Sequence, residues 1–184
     1  MHRGRWARFG RKYHYDLTYG SINPEDGQIV PRRRTSDDDL RFVHSWAQNM
    51  RLDLKTAWRR CPARVDYSRL MTFSRRLAAF KLKNGLVGFG DMLELVLEDE
   101  LKLKVDALIV DEAQDLSPLQ VDVVEMWASS CRYFAIAGDD DQAIFGFQGG
   151  DSEWLRRMAR THKLHVLEQS HRVPQAIHRL AQAI

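Results

Sequence analysis

The chain is poor in cysteine: of its 184 residues only Cys61 and Cys131 are thiols, and they lie far apart. With no CxxC and no paired histidines beside them, the sequence offers neither a disulfide framework nor a zinc site. It also lacks any apolar run approaching the roughly 20 residues that a membrane span requires. The opening MHRGRWARFG is basic but has no apolar stretch behind it, which argues against a secretory signal or an anchor. A cytoplasmic chain with no membrane partner is the expectation. Internal repeats and low-complexity segments are absent as well. What is present, 44% hydrophobic and 29% charged residues, is a globular composition, long enough for one ordinary domain or pieces of two subdomains.

The net charge of +3 conceals an asymmetry. Residues 1–88 carry 19 Lys/Arg against 8 Asp/Glu, whereas residues 89–184 carry 9 against 17. A basic half attracts a phosphate backbone through Coulomb steering and counterion release, and an acidic half suits a divalent cation. Solvated faces of Arg-rich helices would produce the same count.

Glycines 4, 10, 20 and 27, prolines 24 and 31, the turn-like NPEDG and the run Arg32-Arg33-Arg34 make residues 1–36 read as an irregular basic segment. Residues 37–104 read as mainly helical. Leu40, Val43, Ala47 and Met50 recur at helical spacing behind the caps Ser36 and Asp37, which predicts a helix over 37–50. Leu70, Phe73, Leu77 and Phe80 predict a second helix beginning just after Ser68, and Met92 to Leu97 a third. After Lys104 the texture changes. Val105 to Val110 reads as a buried strand running into Asp111, Ser117-Pro118 as the cap and first turn of a helix, and Tyr133 to Ala137 as a second strand. Asp151-Ser152 opens a helix through Met158, Leu164 to Leu167 is a third strand, and Pro174 opens a helix bearing Ile177, Leu180, Ala181 and Ile184. This order, β-α-β-α-β-α over residues 105–184, predicts an α/β fold: a parallel sheet flanked by helices, with ligands at the carboxyl ends of its strands.

Three segments carry chemistry. DEAQD at 111–115 places two adjacent carboxylates at the end of an apolar strand. Mg²⁺ takes hard oxygen ligands and keeps several waters, so Asp111 alone suffices to hold it against nucleotide phosphates. Glu112 is then placed to orient or deprotonate an attacking water. The same pair would also suit a helix N-terminus, through the helix dipole. GDDDQAIFGFQGG at 138–150 again follows an apolar strand; Gln142 is a candidate partner for a terminal phosphate, and Phe145 and Phe147 are candidates for stacking bases or for core packing. LEQSHRVP at 167–174 sets Arg172 before a helix-opening proline, where a guanidinium can meet charge on a transferring phosphoryl group or form an ordinary salt bridge.

In order and spacing these segments resemble the UvrD/Rep family of superfamily 1 DNA helicases. DEAQDLSPLQ is similar to that family's motif II, GDDDQAIFGFQGG to motif III and LEQSHRVP to motif IV; FKLKNGLVGFGDMLE at 80–94 is similar to the segment ahead of motif II. The resemblance covers residues 80–184, with residues 1–79 matching only loosely. It implies a partial RecA-like P-loop NTPase domain over residues 105–184, preceded by the mainly helical region, with ATP and Mg²⁺ as cofactors and single-stranded DNA as partner. By resemblance, Asp111 coordinates Mg²⁺, Glu112 activates water, Gln142 senses the γ-phosphate, Arg172 acts like an arginine finger, and Phe145 and Phe147 stack on single-stranded DNA. A bacterial or phage origin is implied in the same way.

The sequence departs from the family at one consequential place: no GxxxxGK[ST] occurs in it. Without that loop there is no N–H cradle for phosphates, no lysine at the β/γ position and no hydroxyl for Mg²⁺. The sequence also stops just after motif IV. The expectation is therefore a part of a helicase motor, inactive alone, whose Walker A part and second RecA-like domain are supplied in cis or in trans. Gln148 stands where the family usually has Arg, and Gly88 and Gly90 replace polar or acidic residues. Two other readings compete: a degenerate stand-alone DNA-binding module without ATP turnover, and a Mg²⁺-dependent nuclease built on Asp111, Glu112 and Asp139 to Asp141.

Overall fold

The computed structural model describes residues 3–17, 21–22, 29–30, 35–142, 152–167 and 174–181. The first correction to the sequence reading lies near the start. Residues 1–36 are not simply irregular, because Arg3–Tyr13 forms helix α1. Its Trp6, Phe9 and Tyr13 fall three and four residues apart, the spacing of one helical face. Phe9 is fully buried, 5.5 Å from the ring of Phe73 and 5.4 Å from that of Phe80. Strands β1 (Ser21–Ile22) and β2 (Ile29–Val30) then pair antiparallel.

Helix α2 (Ser36–Asn49) runs where predicted, but its cap is Thr35 rather than Ser36 or Asp37. Thr35 Oγ1 accepts from the Asp38 N–H at 3.2 Å while Asp38 Oδ2 accepts from the Thr35 N–H at 3.1 Å, a reciprocal box that satisfies two otherwise orphaned donors. Asp37 is instead drawn inward, accepting from Arg69 at 2.6 Å and from the Asp16 N–H at 2.9 Å. Helix α3 (Leu54–Arg60), capped by Asp53, was not anticipated; seven residues are too few to display a period. Helix α4 (Tyr67–Lys83) starts behind the cap Asp66 and buries Leu70, Phe73, Leu77 and Phe80, one residue per turn. Together α1, α2, α3 and α4 enclose an aromatic-rich core of Phe9, Leu17, Leu40, Val43, Cys61, Leu70, Phe73, Leu77 and Phe80.

Helix α5 (Phe89–Glu98) is seated on this bundle by Asp91, which accepts from Lys81 Nζ at 2.6 Å, from Gln48 Nε2 at 3.0 Å and from the Gly88 N–H at 2.7 Å. Gly90 leaves room for this Gln48 conformation: a Cβ there would lie 2.9 Å from Gln48 Oε1 and push the amide aside.

Strands β3 (Ala107–Val110) and β4 (Tyr133–Ile136) pair in parallel, Ala107 with Tyr133 through Val110 with Ile136. Between them runs α6 (Pro118–Ala128), capped by Ser117 with Gln120 completing a capping box, as the Ser-Pro pair predicted. Helix α7 (Ser152–Thr161) follows. Leu108, Val110, Phe134 and Ile136 pack on one side against Val121, Val124 and Trp154, forming a second core. The opposite side is bare, with Ile109 75% exposed, so β3 is not the fully buried strand that its apolar run suggested. Residues 164–167, expected as a third strand, are not in a strand. Leu164, Val166 and Leu167 are exposed, with no described strand beside them to complete a ladder. Helix α8 (Gln175–Ala181) opens after Pro174, with Ile177 and Leu180 exposed. Arg51 and Asp122, 3.0 Å apart, tie the helical part to α6. No helix among the described residues is long and apolar enough to cross a membrane.

Candidate functional site

Parallel pairing makes β3 and β4 end at the same edge, and the backbone carries the ladder one step further. Ala137 N–H donates to Val110 O at 2.8 Å and Ala113 N–H to Ala137 O at 3.0 Å. The segment after β3 and the segment after β4 are thereby laid side by side, which brings Asp111 and Glu112 to the same edge as the turn over Asp140–Gln142. Arg172, Phe145 and Phe147 lie outside the described residues.

Asp111 and Glu112 are both exposed. The backbone of Glu112 is left-handed, φ 53°, a conformation that costs a non-glycine residue about 1–2 kcal/mol. It is retained because both of its neighbours hold it. Asp111 Oδ1 accepts from the Glu112 N–H at 2.9 Å, and Gln114 Nε2 donates to Glu112 Oε2 at 2.7 Å. Gln114 is nearly fully buried, and its Oε1 accepts from the Asp139 N–H at 3.1 Å. Asp139 in turn accepts from the Asp141 N–H at 3.1 Å and from the side-chain amide of Gln142. A run of hydrogen bonds therefore leads from Glu112 through Gln114 and Asp139 to Gln142. Gly138 makes the run possible, since a Cβ at that position would stand 2.6 Å from Gln114 Oε1 and 2.9 Å from Leu155 Cδ2. Sequence reasoning missed Gln114 and Gly138. The available signals were a glycine ending an apolar strand and a glutamine in the turn behind two carboxylates.

Among the described residues no group of three or more His, Cys, Asp or Glu is gathered to hold a metal ion by itself. An exposed Asp111 carboxylate at a strand end is a hard oxygen donor of the kind that shares Mg²⁺ with waters and phosphate oxygens, so the donor set fits Mg²⁺ arriving with a nucleotide.

The parallel pair thus delivers two adjacent carboxylates to one loop edge, the edge at which α/β sheets take their ligands. Residues 16–163 match the family model of the UvrD/REP helicase N-terminal domain, and the chain belongs to that family. It is similar to DNA helicase II of Haemophilus influenzae, 29% identical over 99 residues that make up 48% of this chain and 14% of the relative. It is likewise similar to ATP-dependent DNA helicase srs2 of Schizosaccharomyces pombe, 32% identical over 111 residues, 55% of this chain and 12% of the relative. RecBCD enzyme subunit RecB of Mycolicibacterium smegmatis is 33% identical over 91 residues, 44% of this chain and 8% of that subunit. The chain thus spans a small fraction of each relative's length. The match begins at residue 16, so helices α2, α3 and α4, which resembled the family only loosely, lie inside its domain. It ends at residue 163, short of Arg172.

Proposed function

We propose that the chain is part of an ATP-dependent DNA helicase or translocase motor in which Mg-ATP hydrolysis is coupled to movement along single-stranded DNA. The observation that carries this reading is the exposed Asp111-Glu112 pair, held at the shared end of β3 and β4 and tied by hydrogen bonds to Gln142. Asp111 holds Mg²⁺, which neutralises charge developing on the phosphates. Glu112 orients and deprotonates the attacking water, with its carboxylate steadied by Gln114. Gln142 meets the γ-phosphate and Arg172 the charge of the transferring group, while Phe145 and Phe147 stack on DNA bases.

The bare face of the β3–β4 pair supports the view that the chain is one portion of a RecA-like P-loop domain, because parallel sheets are ordinarily covered on both faces. The phosphate-binding loop and the second motor domain come from other segments, in cis or in trans. The 184 residues alone are accordingly expected to show no DNA-stimulated ATP hydrolysis. Joined to a strand–loop–helix segment bearing GxxxxGK[ST], they are expected to gain it. Robust hydrolysis by the purified chain alone would overturn the reading.

One observation supports DNA binding, which the motor and the second reading, a DNA-binding module without ATP turnover, have in common. Helices α1 and α4 carry ten Lys/Arg and no Asp/Glu. Three of these cations rest on neutral partners: Arg8 bonds Asn84 Oδ1 at 3.1 Å, Arg76 bonds the Tyr15 hydroxyl at 3.3 Å, and Lys12 lies 5.1 Å from the centre of the Tyr13 ring. Replacing Arg8, Lys12 and Arg76 together by alanine is expected to lower the slope of log K against log salt for single-stranded DNA by about 2, near 0.7 per phosphate contact. An unchanged slope would remove this face from the interface. A chain that binds DNA and stays without hydrolysis after the loop is supplied would be the module.

A further inference from the structure

We propose that Gln114 is the positioning residue of this site, a relay whose side-chain amide holds Glu112 at one end and reads the backbone of the loop after β4 at the other. The proposal rests on the reading of Glu112 as the water-activating group. Gln114 is 2% exposed, whereas Glu112 and Asp139, the two residues it joins, are both exposed. Its orientation is dictated by its partners. A carboxylate only accepts, so Nε2 faces Glu112 Oε2 at 2.7 Å; a backbone N–H only donates, so Oε1 faces Asp139 N at 3.1 Å.

No other common side chain of this size serves both ends. Glutamate would keep the bond from Asp139 but set a second carboxylate against Glu112, and leucine would lose both bonds. The relay continues on the far side, because Asp139 also accepts from Gln142. A displacement of Gln142 or of the Asp139 backbone therefore pulls on the amide that fixes the Glu112 carboxylate. Gly138, with no room for a side chain against Gln114 Oε1 or Leu155, keeps the loop close enough for the link to form.

Hydrogen exchange at the Asp139 amide, followed by NMR in the 184-residue chain, tests the relay without nucleotide. Glu112→Ala removes an exposed acceptor and leaves the buried side of the site intact. It is expected to speed Asp139 exchange by about fivefold, the change produced by weakening one ordinary hydrogen bond. Glu112→Gln retains an acceptor oxygen for Gln114 Nε2 and is expected to leave exchange as in the parent chain. Gln114→Glu preserves the acceptor for Asp139 and is expected to keep its amide protected, whereas Gln114→Leu exposes it and makes it insensitive to Glu112→Ala. A purely structural Gln114 would show the effect of Gln114→Leu but none of Glu112→Ala, and that result overturns the relay. If instead the exchange coupling holds while Glu112→Gln leaves hydrolysis by the loop-completed motor untouched, the relay stands and the water-activating role falls.

Discussion

Replacing Phe9 by alanine is expected to lower the unfolding free energy of the chain by about 4 kcal/mol. Phe9 is fully buried and its ring meets five others: Trp6, Tyr13, Tyr15, Phe73 and Phe80. Removing it forfeits the transfer energy of a large apolar side chain, leaves a cavity among stiff rings that cannot collapse, and deletes several edge-to-face contacts worth about 0.5–1.5 kcal/mol each beyond burial. For a domain whose whole stability is about 5–15 kcal/mol this is a large share, and the melting temperature should fall by about 10 °C. Urea unfolding checks it directly: the midpoint moves while the slope stays constant. Phe89, 77% exposed on α5, supplies the control, since its truncation is expected to stay within about 0.5 kcal/mol. A Phe9 variant as stable as the parent would mean that α1 does not pack on α4.

The same residue shows why the start of the chain was misread. Trp6, Phe9 and Tyr13 form a helical face, but Gly4 and Gly10 interrupt it and the basic side chains around it suggest an open segment. What makes it a helix is the apolar surface of α4, about sixty residues further on, and short-range pattern cannot see that far. The later helices were legible because each carries its own signal: Leu70, Phe73, Leu77 and Phe80 repeat on one face of α4, and Ser117-Pro118 announces α6. For β3 the strand was legible but its burial was not. The strand residues ALIV read as apolar throughout, yet only Leu108 and Val110 have a helical layer to pack against. In the site, the carboxylates were legible from their place after a strand. Gln114 was not, because its role depends on where the β4 loop returns in space.

Replacing Asp91 by alanine is expected to cost about 3 kcal/mol and to alter how the chain responds to acid. Lys81 and Asp91 are only 15% and 22% exposed, so removing Asp91 strands a half-buried ammonium, leaves the Gly88 N–H without its acceptor and takes one of the two carboxylates from Gln48. Burial alone would raise the Asp91 carboxyl, but the hydrogen bonds from Lys81, the Gly88 N–H and Gln48, with the Lys81 charge, outweigh it and hold the group at about 2. Its contribution is present above the ordinary value of 3.8 and is lost as pH falls from there through about 2; allowing for solvent screening it is worth about 1 kcal/mol. His44 acts in a separate window. Burial first, and then the Lys81 charge, partly opposed by Asp91, push its imidazole down to about 4 from 6.5, with Nδ1 bonded to Ser74 Oγ at 3.0 Å and Nε2 buried without a partner. Between those values the unfolded chain takes up a proton that the folded chain refuses. Stability is therefore full above about 6.5 and falls by up to about 3 kcal/mol as pH drops to about 4. Urea unfolding at pH 7, 5 and 3 should show both windows in the parent chain, a diminished lower one in Asp91→Ala, and only the lower one in His44→Gln. An Asp91→Ala chain as stable as the parent at pH 7 would refute the seat described for α5. The helix that leads into β3, and so to the Asp111-Glu112 edge, would then be held by its apolar contacts and the bond from Gln48 Nε2 to Glu94 Oε2.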